Sequence, residues 1–232
     1  MKAVIMAGGK GTRLLPLTEN IPKPMVKLID KPVIESVIEL LKKNDIYDIA
    51  ITLGYLPDKI ISYFGDGKDF NVNLTYFIEE TPLGTAGGVK RAEDFFDGDF
   101  VVMSGDAYSE IDLKRAVSYH KSKNSLFTVI AQPHQNPVGL GTLEIDFDNR
   151  ITNFIEKPET VRPSLINTGI YIVNKRILSM IPDGFYDFGK DLLPRLAGTA
   201  FACIDYSYWS DIGTLGSYYE TNKYLAEKYY KH

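Results

Sequence analysis

Cysteine, histidine and long apolar runs are scarce in this sequence, and each scarcity excludes a class of protein or site. Cys203 is the one cysteine in 232 residues, which leaves no intramolecular disulfide and no cysteine-rich zinc site. His120, His134 and His232 are too scattered to indicate a histidine metal cluster. No apolar run approaches the roughly 18 residues of a membrane span, and the N-terminus lacks a signal-type segment, so we expect a cytoplasmic protein without a membrane partner.

Clusters of positive charge are missing as well. The chain has 26 lysines and arginines against 30 aspartates and glutamates, for a formal net charge of −4. A surface that binds nucleic acid needs clustered Lys and Arg to neutralise phosphates, so we expect no nucleic-acid partner. With 44% hydrophobic and 24% charged residues, the composition is that of a globular protein with one large domain.

The strongest local signal lies in the first two dozen residues. Ala3 to Met6 is a short apolar run that predicts a buried strand, and it breaks at once into the string AGGKGTR, residues 7–13. Three glycines in four positions allow positive φ and remove Cβ atoms, so successive N–H groups can converge on an anion. Lys10 and Arg13 add positive charge, and Lys23 follows between two prolines. The stretch therefore predicts a phosphate-binding loop.

Two common phosphate loops do not fit this string. The dinucleotide pattern GxGxxG started at Gly9 would need a glycine where Leu14 stands, and the P-loop pattern needs a lysine where Thr12 stands. The string AGGKGTR, followed by PKP at residues 22–24, instead resembles the signature of the sugar-nucleotide pyrophosphorylases. These are nucleotidyltransferases that join a sugar 1-phosphate to a nucleoside triphosphate (NTP).

The remainder of the chain predicts an α/β fold. Helices are predicted at about 32–44, 57–64, 84–95 and 113–122, and strands at 48–53, 73–78, 100–103 and 126–131. Shorter strands after Pro137 indicate a mixed sheet. The resemblance implies a Rossmann-like, glycosyltransferase-A-like single domain with a mixed, mainly parallel central sheet flanked by helices. Residues 1–135 would form its nucleotide-binding half and 136–232 its sugar-phosphate half, with no room after Lys228 for the C-terminal β-helix of many relatives.

Two aspartates are candidate metal ligands. Asp106 follows an apolar strand through Gly105, at the sheet edge where α/β proteins bind ligands, although a turn or helix cap explains it about equally well. Asp211 lies in YWSDIGT, where it could be a helix N-cap, but the string resembles the family's WxDIGT. The resemblance implies that both aspartates bind Mg²⁺.

The resemblance also assigns residues to the nucleotide. The triphosphate would meet the phosphate loop, and the base and ribose would meet the string PLGTAG, which could otherwise be an ordinary glycine-rich helix start. Lys23 would neutralise charge at the α phosphorus, although a lysine between prolines could equally be solvated. The nucleotide-binding residues are Ala7, Gly8, Gly9, Gly11, Thr12, Arg13, Pro82, Gly84, Thr85, Ala86 and Gly87.

The sugar phosphate is expected further along the chain. Glu156 and Lys157 stand side by side in FIEKP, and an exposed pair of this kind usually has no function, but the string resembles the family's FxEKP. The resemblance implies that the two meet opposite ends of the sugar phosphate, because the carboxylate accepts hydroxyl hydrogen bonds and the ammonium meets the phosphate. The sugar-phosphate residues implied by the resemblance are Gly141, Glu156, Lys157, Asn167, Thr168 and Gly169, and the catalytic set is Arg13, Lys23, Asp106 and Lys157.

These assignments predict a magnesium-dependent transfer of a nucleotidyl group from an NTP to a sugar 1-phosphate. The nearest resemblance is to mannose-1-phosphate guanylyltransferases. Alternatives are glucose-1-phosphate uridylyl- or thymidylyltransferase, N-acetylmuramate-1-phosphate uridylyltransferase and heptose-1-phosphate guanylyltransferase. A non-catalytic regulatory subunit is a further alternative, and a related glycosyltransferase is disfavoured because residues 105–108, GDAY, lack an Asp-x-Asp motif. The tyrosine-rich end indicates core or interface packing and leaves a homo-oligomer open.

Overall fold

The strands of this computed structural model form one large mixed sheet and two short pairs. The structure describes residues 1–159 and 162–230. The strands are β1 (Lys2–Ala7), β2 (Lys27–Leu28), β3 (Lys31–Pro32), β4 (Asp48–Leu53), β5 (Asn73–Ile78), β6 (Asp99–Ser104), β7 (Ala107–Ser109), β8 (Phe127–His134), β9 (Thr142–Ile145), β10 (Ile151–Ile155), β11 (Ser164–Asn174), β12 (Phe201–Ile204) and β13 (Trp209–Asp211).

The large sheet is parallel in its N-terminal half and mixed beyond it. Its order is β10-β9-β11-β6-β1-β4-β5, and β8 pairs with both β11 and β12. β1 lies between β4 and β6, parallel to both, and β5 extends the parallel set. The carboxyl ends of these four strands therefore meet at one edge of the sheet, which is where open α/β sheets bind ligands.

Helices cover the sheet. The α-helices are α1 (Val33–Lys43), α2 (Pro57–Phe64), α3 (Gly84–Arg91), α4 (Leu113–Ser122), α5 (Leu193–Arg195) and α6 (Leu215–Tyr230). Short 3-10 turns occur at Thr12–Leu14, Lys23–Met25, Lys68–Phe70, Glu93–Phe95 and Lys175–Met180, and a π-helical turn at Phe188–Leu192 precedes α5. Asp112 caps α4 by accepting a hydrogen bond from the Arg115 N–H at 3.0 Å.

Alternation along the strands separates the core into two layers. In β1, Val4 faces a layer with Phe100, whereas Ile5 faces the opposite layer with Ile38 of α1. All four side chains are almost fully buried. Because strands buried on both faces read as continuous apolar runs, the sequence reveals these strands well. A third, smaller cluster lies under α6 and includes Leu225.

The predicted α/β fold is confirmed, and the deviations are local. The predicted strands 48–53 and 73–78 and the helices 57–64 and 113–122 have the predicted bounds. Pro32 is not the first residue of α1, because it pairs with Lys27 in the β2–β3 hairpin. The third helix ends at Arg91 rather than Phe95. No helix in the described part of the chain is long and apolar enough to cross a bilayer.

Buried His120 is expected to make the protein acid-sensitive. Burial lowers the pKa of His120 below its usual value, and the nearby Asp99 only partly opposes this. Below about pH 6.5 the unfolded chain takes up a proton that the folded chain still excludes, so the free energy of unfolding falls until the lower folded-state pKa is passed. Urea titrations from pH 8 to pH 5 should show that the free energy of unfolding falls more steeply with decreasing pH in the wild type than in His120→Gln. Equal pH slopes would contradict this.

Candidate active site

A glycine loop begins where β1 ends, at the carboxyl edge of the parallel strands. Gly11 has a left-handed φ of 67°, and a Cβ added there would lie 2.7 Å from the Lys23 Cβ. The Thr18 hydroxyl donates a 2.8 Å hydrogen bond to the Gly11 carbonyl, which fixes the end of the loop. Gly9 has open space where its Cβ would be. Gly11 thus lets the loop pack on Lys23, while Gly9 faces outward.

A short antiparallel pair brings the two predicted metal ligands together. β7 begins directly after Asp106 and pairs with β13, so Ala107 lies opposite Asp211. The Ile212 N–H also donates to the Asp106 carbonyl at 3.3 Å. Asp106 and Asp211 are therefore neighbours across a two-stranded ladder, although they are far apart in sequence.

Lys23 lies between these two carboxylates. Its Nζ is 2.7 Å from Asp106 Oδ2 and 3.0 Å from Asp211 Oδ1. Only 9% of its side chain is exposed, against 30% for each aspartate. Burial lowers the pKa of Lys23, but the charges of Asp106 and Asp211 and their hydrogen bonds outweigh it, so the net pKa lies above the usual value. The ammonium is thus held in its charged form.

Arg13 reaches the same place from the phosphate loop. A Cβ at Gly213 would lie 3.2 Å from Arg13 Nη2 and 2.6 Å from Asp211 Oδ2. The missing side chain at Gly213 therefore leaves room for the guanidinium and the carboxylate to approach each other. In the sequence, Arg13 and Asp211 belong to separate motifs, and the structure brings them to one cleft.

The predicted sugar-phosphate residues form a further wall of this cleft. The Glu156 carboxylate is confined by two backbones, since a Cβ at Gly141 or Gly189 would lie 3.0 or 2.5 Å from its Oε2. Lys157 Nζ is 3.7 Å from Glu156 Oε1, and the Lys157 side chain is 56% exposed. Lys157 has a φ of 50°, an unusual value for a lysine that often marks a functional site. The carboxylate is fixed and the ammonium is accessible.

The Asn-Thr-Gly segment of β11 sits at a bulge beside this wall. Asn167 accepts a hydrogen bond from the Gly169 N–H at 2.9 Å and donates one to the Tyr171 hydroxyl at 2.9 Å. The Thr168 hydroxyl is buried and donates to the Ile130 carbonyl at 2.7 Å. Thr168 is therefore engaged inside the fold through its hydroxyl, whereas Asn167 orders the turn that borders the cleft.

The glycines of the predicted base-binding string lie close to another segment of backbone. A Cβ at Gly84 would lie 2.6 Å from the Tyr186 carbonyl oxygen, and one at Gly87 would lie 2.3 Å from the Gly184 carbonyl oxygen. Thr85 donates to Asp187 Oδ2 at 2.9 Å and accepts from the Phe188 N–H at 2.9 Å. The small residues of this segment, including buried Ala86, thus allow α3 to pack closely against residues 184–188. Exposed Pro82 precedes that contact.

Glu79 is a site candidate that the sequence analysis missed. It follows the last residue of β5, and its Oε2 accepts a hydrogen bond from the Leu83 N–H at 3.0 Å. A Cβ at Gly8 would lie 3.6 Å from its Oε1, and one at Gly88 would lie 2.5 Å away. Burial raises the pKa of Glu79. Its place at the end of a parallel strand was the signal that could have identified it.

Two adjoining cavities lie among the predicted catalytic, metal-binding and sugar-phosphate residues, and neither is lined by Glu79 or by residues 82–87. One of about 240 Å³ is lined by Arg13, Lys23, Ser104, Asp106, Ala107, Gly139, Leu140, Gly141, Glu156, Lys157, Asn167, Thr168, Gly169, Trp209 and Asp211. The other, of about 230 Å³, shares Arg13, Gly139, Leu140, Trp209 and Asp211 with it. A roomier cavity of about 640 Å³ beside α1 and α6 contains none of the predicted site residues. The predicted catalytic groups therefore lie in the smaller cavities rather than in the roomier one.

Gly9 and Gly11, two of the three loop glycines, are expected to respond differently to substitution. Gly11→Ala should lower the free energy of unfolding by about 2 kcal/mol, because alanine is strained at positive φ and its Cβ would strike Lys23. Gly9→Ala should leave stability within about 0.5 kcal/mol of the wild type and weaken nucleotide binding instead. Urea unfolding and nucleotide titration of both variants measure this. A similar loss of stability in both would contradict the assigned packing.

Comparison with known proteins identifies the family to which the chain belongs. Residues 2–228 match the family model described as nucleotidyl transferase. The chain belongs to the nucleotidyl transferase family. The structure brings ten of the predicted site residues of this family member together at one cleft: Arg13, Lys23, Asp106, Gly141, Glu156, Lys157, Asn167, Thr168, Gly169 and Asp211.

The names of individual relatives of this nucleotidyl transferase family member state related activities. A UTP–glucose-1-phosphate uridylyltransferase of Synechocystis is 38% identical over 95% of this chain and 62% of its own length. A mannose-1-phosphate guanyltransferase of Saccharomyces cerevisiae is 33% identical over 92% of this chain and 61% of its own length. The chain thus spans less than two thirds of these curated relatives.

A solved structure matches over almost its whole length. HddC from Yersinia pseudotuberculosis is 32% identical, with a TM-score of 0.86, over 97% of this chain and 99% of its own. A second structure of HddC, in complex with GMP-PN, aligns with a TM-score of 0.85 at the same identity and coverage. This chain and HddC therefore share one fold.

Proposed function

We propose that this chain transfers a nucleotidyl group from an NTP to a sugar 1-phosphate and releases pyrophosphate. The observation that carries the proposal is the Lys23 ammonium held between Asp106 and Asp211, in a cleft that Arg13 also enters. A cleft lined by the cations of Arg13, Lys23 and Lys157 and by the carboxylates of Asp106, Glu156 and Asp211 suits a reaction between polyanions. The family membership and the names of the relatives support the same reaction.

Catalysis of this reaction requires correct positioning of the two substrates rather than a strong general base. A sugar-phosphate oxygen is already ionised at neutral pH and attacks the α phosphorus, while the bond from that phosphorus to the β-phosphate oxygen breaks. Arg13 and the loop amides of Gly8, Gly9 and Gly11 would bind the departing pyrophosphate. Lys23 would stabilise the charge that develops at the α phosphate, and Lys157 would hold the attacking phosphate beside Glu156, which orients the sugar.

The carboxylate pair also fits a divalent cation. Asp106 Oδ2 and Asp211 Oδ1 face a single point, occupied by the Lys23 nitrogen at 2.7 and 3.0 Å. Mg²⁺ is commonly held by one or two carboxylates and by substrate phosphates. We therefore propose Mg²⁺ as the cofactor, held by these two aspartates. When bound it would neutralise phosphate charge and polarise the α phosphate.

Glu79 favours a guanine nucleotide among the possible substrates. An ionised carboxylate only accepts hydrogen bonds, and guanine offers two adjacent donors on one edge, whereas uracil and thymine offer one donor between two acceptors. Glu79 lies between the phosphate loop and α3, where a base attached to a loop-bound triphosphate would reach it. The binding of GMP-PN by HddC agrees with this preference. We propose mannose 1-phosphate as the first acceptor to test, with glucose 1-phosphate as the alternative.

Glu79→Gln should shift the base preference. Glutamine presents one acceptor and one donor group, which suits uracil better than guanine, so the ratio of kcat/KM for GTP over UTP should fall about tenfold or more. The neighbouring and exposed Glu80 provides the matched control, and Glu80→Gln should leave the ratio unchanged. An unchanged ratio in Glu79→Gln would remove the guanine assignment without touching the reaction class.

The reaction is tested by measuring pyrophosphate release in a matrix of substrates. GTP, UTP, dTTP, CTP and ATP are each combined with mannose, glucose and amino-sugar 1-phosphates in the presence of Mg²⁺. The proposal expects release that requires both substrates, with GTP and mannose 1-phosphate among the active pairs. Absence of release for every pair, with NTP still raising Tm, would favour a non-catalytic nucleotide-binding role.

A further inference from the structure

Lys23 is held firmly at the carboxylate pair. Lys23 is the first residue of the 3-10 turn Lys23–Met25, and it lies between Pro22 and Pro24. The fixed φ angles of the two prolines, and the restriction that Pro24 places on the residue before it, limit the backbone conformations open to this segment. Its stem packs against Gly11, where an added Cβ would be 2.7 Å from the Lys23 Cβ. With 9% of the side chain exposed, the ammonium has little freedom to leave without a replacement partner.

The same two carboxylates are the natural ligands for a divalent cation at this site. Lys23 Nζ lies within 3.0 Å of both, so a metal ion bound by the pair would be placed against a positive charge of the protein. Among residues 1–159 and 162–230, no group of three or more His, Cys, Asp or Glu side chains surrounds a potential metal position. The pair alone therefore offers few ligands and an unfavourable neighbour.

We propose that Lys23 occupies the carboxylate pair until a nucleotide arrives, and that it thereby makes metal binding depend on the nucleotide. The triphosphate supplies both missing elements: oxygen ligands that complete the coordination of the metal, and an anionic partner that draws the Lys23 ammonium away from Asp106 and Asp211. Lys23 is then a residue that prevents premature metal loading as well as one that meets the phosphates. The inference rests on the proposed function for the identity of the nucleotide.

The test measures Mn²⁺ binding in the absence of nucleotide. The electron paramagnetic resonance signal of free Mn²⁺ reports the fraction bound, so no turnover is needed. Lys23→Met should bind Mn²⁺ about tenfold more tightly than the wild type, because the carboxylates lose their competing cation. Lys157→Met removes a lysine from the same cavity without touching the pair and should bind as the wild type does. Adding Asp106→Asn to Lys23→Met should abolish the gain.

The outcomes separate this inference from the proposed reaction. Equal or weaker Mn²⁺ binding by Lys23→Met, with its circular dichroism spectrum and melting intact, would overturn the inference even if the wild type releases pyrophosphate. A clear gain in Mn²⁺ affinity, with no active substrate pair, would support the competition and reject the reaction. Lys23→Gln gives a polar second variant if the methionine variant does not fold, and Mn²⁺ should raise its Tm more than it raises that of the wild type.

Discussion

Asp106→Asn is expected to lower kcat by about 10³-fold while the protein stays folded. The substitution removes one of the two carboxylates that face the Lys23 nitrogen, so the proposed metal loses a ligand and the α phosphate loses its charge stabilisation. Lys23 keeps Asp211 as a partner, which leaves no buried ammonium unpaired. Initial rates of pyrophosphate release at saturating substrate measure the effect.

Asp112→Asn is the matched control for that experiment. Asp112 lies on the same stretch of chain, but its side chain caps α4 by accepting from the Arg115 N–H. Asparagine caps a helix about as well as aspartate, so both Tm and kcat should stay close to the wild-type values. A comparable loss of activity in both variants would point to general disturbance of this segment, and full activity in Asp106→Asn would reject the assignment of Asp106.

Lys23→Met is expected to lose about 10² to 10³-fold in kcat. The variant retains Arg13 and Lys157, but it lacks the cation that lies at the junction of the two carboxylates and the phosphate loop. Since Lys23 is proposed to act on charge that develops in the transition state, kcat should fall more than KM rises. Steady-state kinetics across both substrates distinguish the two parameters.

Lys23→Arg should not restore the activity lost in Lys23→Met. The guanidinium is larger and planar, whereas the Lys23 ammonium fits within 3.0 Å of two carboxylates beside a packed Gly11. Activity near that of the wild type in Lys23→Arg would show that any positive charge suffices there. Activity near that of the wild type in Lys23→Met would remove Lys23 from the chemistry.

Much of the fold could be predicted from the sequence because its strongest patterns are local. Strands buried on both faces, such as residues 100–103 of β6, are continuous apolar runs, and the helix Leu113–Ser122 has its cap directly before it. The glycine loop was recognisable because Gly8, Gly9 and Gly11 stand at the end of such a strand. These signals need only a few neighbouring residues to be read.

The arrangement inside the site depends on contacts that no local pattern specifies. The pairing of Ala107 with Asp211 joins two three-residue strands, which are too short to show alternation. The position of Lys23 depends on that pairing and on its packing against Gly11. The closeness of Lys23 to both aspartates therefore could not be inferred from the sequence PKP at residues 22–24. The close approach of Gly84 and Gly87 to the backbones of Tyr186 and Gly184 likewise has no local sequence signal. Which ligands occupy the site stays a prediction.

Phosphorus-31 NMR of one reaction tests the central claim most directly. The wild type and Asp106→Asn are followed in parallel with GTP, mannose 1-phosphate and Mg²⁺. The account predicts that in the wild type the mannose 1-phosphate signal disappears while a nucleotide-sugar diphosphate and pyrophosphate appear in equal amounts, and that the variant shows neither product on the same timescale. Formation of both products at the wild-type rate by Asp106→Asn would contradict the account.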